Sequence, residues 1–233
     1  MTPCTSSSSL VQRFEEATVR FGRLNQIFNS GNPSKFDFQI ARLSVLLEDL
    51  RVEHGGLSAN SLDGLDDAGE PYRRLYFLRR SLATLFEFDQ ALLQIDAMPQ
   101  FDEFVRARLS PRNLRFWIQG IHSFQKHRDT LCKLRHNIGG HFAEGASKVA
   151  VRAFTKENVG SIKIVFQQGG GAGVVCTFAG EVAAAAFGDL LIYGSTTQSK
   201  LTRLMRITNG LYRAAIQNTF CIAEAYLWDQ FGS

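Results

Sequence analysis

The segment LCKLRHNIGGHF, residues 131–142, ends a long amphipathic stretch with a dense cluster of cation, imidazole and amide side chains. The pair Gly139-Gly140 follows this cluster, and glycine readily adopts the left-handed backbone conformations that end helices. Ser110-Pro111, an N-cap residue followed by a first-turn proline, precedes the stretch. The helix predicted between this cap and the segment carries on one face Leu114, Trp117, Ile121, Phe124, Arg128 and Leu131. We therefore expect a helix that delivers Arg135 to its C-terminal end.

Helical periodicity recurs on both sides of this segment. Apolar residues spaced by three and four predict further helices at about residues 10–28, 34–52, 71–98, 142–154, 180–193 and 196–228. Ser34 is the expected N-cap of the second of these, and Pro71 suits the first turn of the third. Residues 54–70 are acidic and glycine-rich, which predicts a mobile loop.

Two β-rich runs flank a glycine-rich loop at residues 161–178 and predict a β-hairpin. The sequence contains no internal repeat and no domain linker. The predicted fold class is therefore mainly α, a helical bundle with an inserted β-hairpin, in a single domain over residues 1–233 with a frayed tail at residues 1–9.

The composition excludes several classes of protein. The 4 cysteines are far apart and form no CxxC pair, so we expect no zinc site, no cofactor and reduced thiols in a cytoplasm. His122 and His127 are five residues apart on one predicted helix, a poor spacing for a shared metal. No apolar run approaches the roughly 20 residues of a membrane span, and the Ser-rich start does not resemble a signal peptide. The expected location is the cytoplasm.

Charge is unevenly distributed along the chain. Residues 71–136 contain twelve Lys and Arg against six Asp and Glu, whereas residues 1–70 contain six against ten. This distribution is compatible with a polyanionic partner such as RNA, and equally with solvated arginines on helix faces.

The residue types at the end of the central helix suit phosphodiester chemistry without a metal. Imidazole exchanges protons near neutral pH, and guanidinium offers a planar fork of donors to a phosphate. On an ideal helix Arg135 and His141 would point about 240° apart, so they share a site only if the helix ends between them. A symmetric dimer would bring two copies of the cluster together.

Arg135, the polar pair His136-Asn137, and His141 after five intervening residues resemble the motif of the HEPN superfamily. The core at residues 134–142 and the LRRS sequence at residues 78–81 are similar to a bacterial subgroup with an RNxIGGHF-like core. The resemblance implies a metal-independent endoribonuclease of toxin–antitoxin, abortive-infection or CRISPR-linked systems that acts on single-stranded or structured RNA, with active sites formed across a homodimer.

Within that resemblance, Arg135 and His141 match the catalytic pair, and His136 and Asn137 would orient the phosphate. His136 departs from the family pattern, which prefers Asn at that position. Asn137 therefore lies one residue later than the polar residue of the family motif. Glu87 and Asp89 occupy seam positions on the predicted helix 71–98 and are candidate supports for Arg135. A second interpretation stays open, in which the chain is a non-catalytic RNA-binding, protein-binding or dimerisation module and Arg135 only pairs with one of these carboxylates.

Overall fold

A computed structural model of the chain describes residues 32, 34–59, 70–139, 144–154, 162–166, 172–176, 178–190, 196–223 and 225. The elements in these residues all belong to one compact unit, Ser34–Ser233. They are α1 (Lys35–Ser58), α2 (Glu70–Asp96), α3 (Pro99–Phe104), α4 (Pro111–Leu134), α5 (Glu144–Ala153), β1 (Ile162–Phe166), β2 (Ala172–Cys176), α6 (Ala179–Leu190) and α7 (Thr197–Ile222). A mainly helical bundle is therefore confirmed. The predicted tail at residues 1–9 and the helix at residues 10–28 lie outside the described residues.

Local capping chemistry sets where the long helices begin. Ser34 caps α1, because its hydroxyl accepts a hydrogen bond from the Asp37 amide while the Asp37 carboxylate accepts one from the Ser34 amide at 2.8 Å. Ser110 caps α4 by accepting from the Asn113 amide at 3.2 Å. Thr196 and Ser199 form a second such box at the start of α7. Each cap satisfies amides that the first helical turn leaves unpaired.

The prediction of a loop from residue 54 was wrong for its first part, because α1 continues through Gly55 and Gly56 to Ser58. Gly56 is packed closely: a Cβ at this position would lie 2.5 Å from the ring of Phe77 on α2. The buried Arg73 guanidinium donates to the carbonyl oxygens of Gly56 and Ala59, so the end of the helix is capped from α2. Close packing and capping by a distant arginine override the low helix propensity of glycine. Residues 60–69 lie outside the described residues.

Helix α2 is the centre of the core. It packs against α1 on one side and against α4 and α7 on others. Its apolar residues with 2% exposure or less are Leu78, Leu82, Leu85, Phe88, Ala91, Leu92 and Ile95. The Phe88 ring stacks on Phe124 of α4 with centroids 5.8 Å apart. The Trp117 indole of α4 donates to Asp96 at 3.0 Å, so α2 and α4 are joined along their length.

Helices α4 and α7 meet closely at one end. A Cβ on Gly120 would lie 1.7 Å from Oδ1 of Asn218, so only glycine allows this approach. The Asn218 side chain is fully buried and donates through Nδ2 to the Trp117 carbonyl oxygen at 3.3 Å. This contact fixes the distance between the two helices.

Strands β1 and β2 pair antiparallel, with Ile162 opposite Cys176 and Phe166 opposite Ala172. The segment that joins them, residues 167–171, lies outside the described residues. The insertion of this pair into the bundle as a hairpin stays a prediction.

We predict that Glu53 makes the protein less stable as the pH rises. Glu53 is 7% exposed; its Oε1 accepts from Thr84 at 2.9 Å, and its buried Oε2 has no partner in the described part of the chain. Burial raises the pKa of Glu53 from 4.5 to about 7, although Thr84 and Arg80 partly oppose this. The folded state therefore holds a proton that the unfolded chain releases between these two values, and stability falls as the pH rises through that window.

Glu53→Gln removes this titration and keeps the acceptor for Thr84. Urea unfolding at pH 5 and pH 8 should show the wild type losing on the order of 1–2 kcal/mol relative to the variant over that range. Parallel pH profiles for the two proteins would contradict this account of Glu53.

Candidate functional site

Arg135 is the first residue of a π-helical turn, Arg135–Gly139, that continues α4. Its side chain is 42% exposed, and Nη2 donates to Oε1 of Glu87 on α2 at 3.2 Å. The guanidinium carbon lies 5.7 Å from the centroid of the Phe86 ring. One carboxylate and one aromatic face thus orient this guanidinium while part of it stays open to solvent.

Glu87 is shared between two arginines. Its other oxygen, Oε2, accepts from Nη2 of Arg42 on α1 at 2.9 Å. Two guanidiniums therefore contact one carboxylate, and the cluster Arg42–Glu87–Arg135 keeps an excess of one positive charge. A cluster with this excess attracts an anion, whereas a one-to-one pair would be neutral.

His136 is exposed, and its tautomer follows from the shorter of two contacts that its Nδ1 makes with Cys132, the longer being with Sγ at 3.6 Å. Nδ1 lies 2.8 Å from the Cys132 carbonyl oxygen. A carbonyl oxygen only accepts, so Nδ1 carries the proton and donates it. In the neutral ring Nε2 is therefore unprotonated and offers a lone pair. The same ring meets the Phe86 ring edge to face, at 6.4 Å between centroids.

The π-helical turn is held by its own side chains and by the core. Asn137 donates from Nδ2 to the Lys133 carbonyl oxygen at 2.7 Å, and Ile138 is fully buried. π-helical turns insert one extra residue into a helical repeat and occur often at functional sites. Gly140 and His141 lie outside the described residues. The pairing of Arg135 with His141 therefore stays a prediction.

Asp89 binds a different arginine from the one considered in the sequence. Its carboxylate is 1% exposed and accepts from Nε and Nη2 of Arg128 at 2.6 and 2.9 Å. The hydrogen bonds to Asp89 raise the pKa of Arg128 further above its ordinary value. Of the two candidate supports for Arg135, Glu87 contacts it. Asp89 instead binds Arg128, seven residues before Arg135, and so holds α4 against α2.

Two contributors to this site carried no signal in the sequence. Arg42 reaches Glu87 from α1, 45 residues away, and Phe86 supports both Arg135 and His136. Arg128 did carry a signal, because it is a charged residue on an otherwise apolar seam. A charged residue in such a position usually has a buried partner.

Within the described ranges, no group of three or more His, Cys, Asp and Glu side chains could hold a metal ion. None of the helices there combines the length and the apolar content that crossing a bilayer requires. Comparison with protein families, with curated proteins and with solved structures finds no match to this chain.

We predict that Arg128→Ala destabilises the protein more than Asp89→Ala. The arginine variant leaves a buried carboxylate without its two donors, at a cost of roughly 3–5 kcal/mol. In the aspartate variant the cost is smaller, because the Arg128 side chain is already 31% exposed and can turn toward water. Urea unfolding at pH 7 measures both costs.

The double change Asp89→Leu with Arg128→Met is the control, since an apolar pair of similar volume is expected to recover most of the stability. Equal costs for the two single variants would contradict this description of the pair.

Proposed function

We propose that the chain is a metal-independent endoribonuclease of the HEPN type, in which Arg135 binds the scissile phosphate and His141 transfers the proton. The observation that carries the proposal is the partly exposed guanidinium of Arg135 within a cluster that keeps one excess positive charge. The expected setting is a cytoplasmic homodimer, as in toxin–antitoxin systems. The alternative is a module of the same fold that binds RNA or protein without turnover.

The geometry around Arg135 supports phosphate binding in two ways. Among the described residues its only hydrogen-bond acceptor is Glu87, through Nη2, so its remaining N–H donors are available to a ligand. Arg42 competes for the same carboxylate and thereby weakens the hold of Glu87 on Arg135. A phosphate can then displace part of this ion pair, because bidentate guanidinium–phosphate bonds are short and charge-assisted.

The proposed reaction is a transesterification within the RNA strand. His141 takes the proton of a ribose 2′-hydroxyl, and the 2′-oxygen attacks the adjacent phosphorus. Arg135 stabilises the negative charge that develops on the phosphorane oxygens. The bond to the 5′-oxygen breaks, and that oxygen takes a proton, which the second copy of the motif in a homodimer would supply. The products are a 2′,3′-cyclic phosphate and a free 5′-hydroxyl.

His136 and Asn137 have different capacities to orient the phosphate. Neutral His136 presents a lone pair on Nε2, so it binds a phosphate oxygen only as imidazolium. Asn137 uses one amide hydrogen on the Lys133 carbonyl oxygen and keeps the second for a ligand. We therefore expect Asn137 to orient the phosphate through this second hydrogen, and His136 to do so only in its protonated form.

The decisive assay is cleavage of a defined single-stranded RNA in the presence of EDTA. We expect the wild type to release a cyclic phosphate, and Arg135→Ala and His141→Ala to lower the rate by about 10² or more, as for loss of a charge-stabilising donor. Arg115→Ala is the matched control, because Arg115 is exposed on the same helix and, within the described ranges, bonds only the Pro111 carbonyl oxygen. Its rate should stay within about twofold of the wild type.

Circular dichroism of each variant separates loss of chemistry from loss of fold. If the wild type binds the RNA but does not cleave it, the chain is a binding module and the nuclease proposal is overturned. Cleavage that persists unchanged in Arg135→Ala would also overturn it.

A further inference from the structure

A groove of about 770 Å³ lies between α4 and α7, on the C-terminal side of the Gly120–Asn218 contact along α4. Lys126 and His127 line it from α4, and Arg203 and Arg206 line it from α7. Nine residues, about two and a half helical turns, separate Lys126 from Arg135, so the two side chains leave α4 on opposite sides. This groove is therefore distinct from the site around Arg135.

Positive charge converges on the groove. No carboxylate is among the described residues that line it. Lys126 and Arg206 form no ion pair within the described part of the chain, and both are exposed. The pKa of His127 is lowered, first by burial and then by the charges of Lys126 and Arg203. Three permanent cations thus face one space, which favours an anion with more than one negative charge.

Two of the residues that line the groove have apolar side chains. Ile207 and Leu211 contribute to its lining, and Leu211 is 1% exposed. Thr202, an exposed hydroxyl on the rim, adds a neutral donor. Small-molecule sites commonly have volumes of about 300–1,000 Å³ and combine an apolar surface with a few polar groups. The groove lies within this range of size, and its lining is richer in polar and basic side chains than that of most such sites.

Gly210 also lines the groove, and its presence there has no packing explanation. Glycine inside a helix costs about 1 kcal/mol relative to alanine. A Cβ at Gly210 would have no neighbour within 4 Å, unlike one at Gly120. The missing side chain leaves room in the groove instead of allowing two helices to approach.

We propose that this groove binds a phosphorylated small molecule of nucleotide size. Its phosphates would contact Lys126, Arg203 and Arg206, and its ring would lie against Ile207 and Leu211. The proposal is independent of nuclease activity, because Arg135 and His141 take no part in it.

The test is calorimetric titration of the full-length protein with ADP, with adenosine and with inorganic phosphate. We expect ADP to bind at least about tenfold more tightly than inorganic phosphate, and adenosine to bind weakly or not at all, because both the charges and the ring are recognised. ADP should shift the NMR signal of the His127 ring, which reports binding inside the groove.

Two pairs of variants make the test specific. Lys126→Ala and Arg206→Ala should each weaken ADP binding by about tenfold, whereas Arg213→Ala, an exposed arginine of α7 outside the groove, should leave it within about twofold. Gly210→Leu should block ADP without lowering the melting temperature. Gly55→Leu is its control, because Gly55 is also a helical glycine with open space at its Cβ.

Failure of ADP to bind overturns the proposal. Binding of inorganic phosphate as tight as that of ADP also overturns it, because the ring is then not recognised. If a single-stranded RNA decamer binds, depends on Lys126 and Arg206, and no nucleotide does, the groove is an RNA surface instead. Arg135→Ala should leave ADP binding unchanged, so the outcome is separate from that of the nuclease assay.

Discussion

The ion pair between buried Asp89 and the partly exposed Arg128 determines how α4 lies along α2. Asp89 is buried and accepts two hydrogen bonds from one guanidinium. A shift of α4 along α2 would therefore leave a buried charge without its partner. Arg135 is seven residues after Arg128, two turns further along the same face of the helix. The alignment that satisfies Asp89 therefore also brings Arg135 beside Glu87.

The two carboxylates of α2 differ in burial and in how their charge is matched. Asp89 is inaccessible and fully matched by one arginine, which suits it to fixing the packing of two helices. Glu87 is 36% exposed and is divided between two arginines, which leaves excess positive charge at the surface. Only the second arrangement can respond to an anion, because its partners can rearrange in water without a large desolvation cost.

Much of the fold could be predicted from local chemistry. Ser34, Ser110 and Thr196 are caps whose side chains act within three residues, so the sequence contains the whole interaction. The continuation of α1 through Gly55 and Gly56 could not be predicted, because the stabilising groups, Arg73 and Phe77, belong to α2. Local propensity favoured a loop at these glycines, and tertiary contacts reversed it.

In the candidate site, too, local features could be predicted and tertiary contacts could not. The cluster Arg135, His136 and Asn137 was visible as a motif, whereas the sharing of Glu87 with Arg42 depends on a contact across 45 residues. The π-helical turn was also not predictable, since glycine pairs at a helix end usually favour termination. The basic groove could not be predicted from the sequence, because α4 and α7, which line it, are far apart along the chain.

The central claim is that the end of α4 presents Arg135 as a receptor for a phosphate beside His141. A crystal structure with an RNA oligonucleotide that carries 2′-O-methyl groups, and so cannot be cleaved, tests it most directly. The account predicts a phosphate oxygen at hydrogen-bond distance from the Arg135 guanidinium, about 2.7–3.2 Å, with the His141 imidazole next to the ribose 2′-oxygen. A phosphate bound elsewhere, or a His141 ring buried in apolar packing away from Arg135, would contradict it.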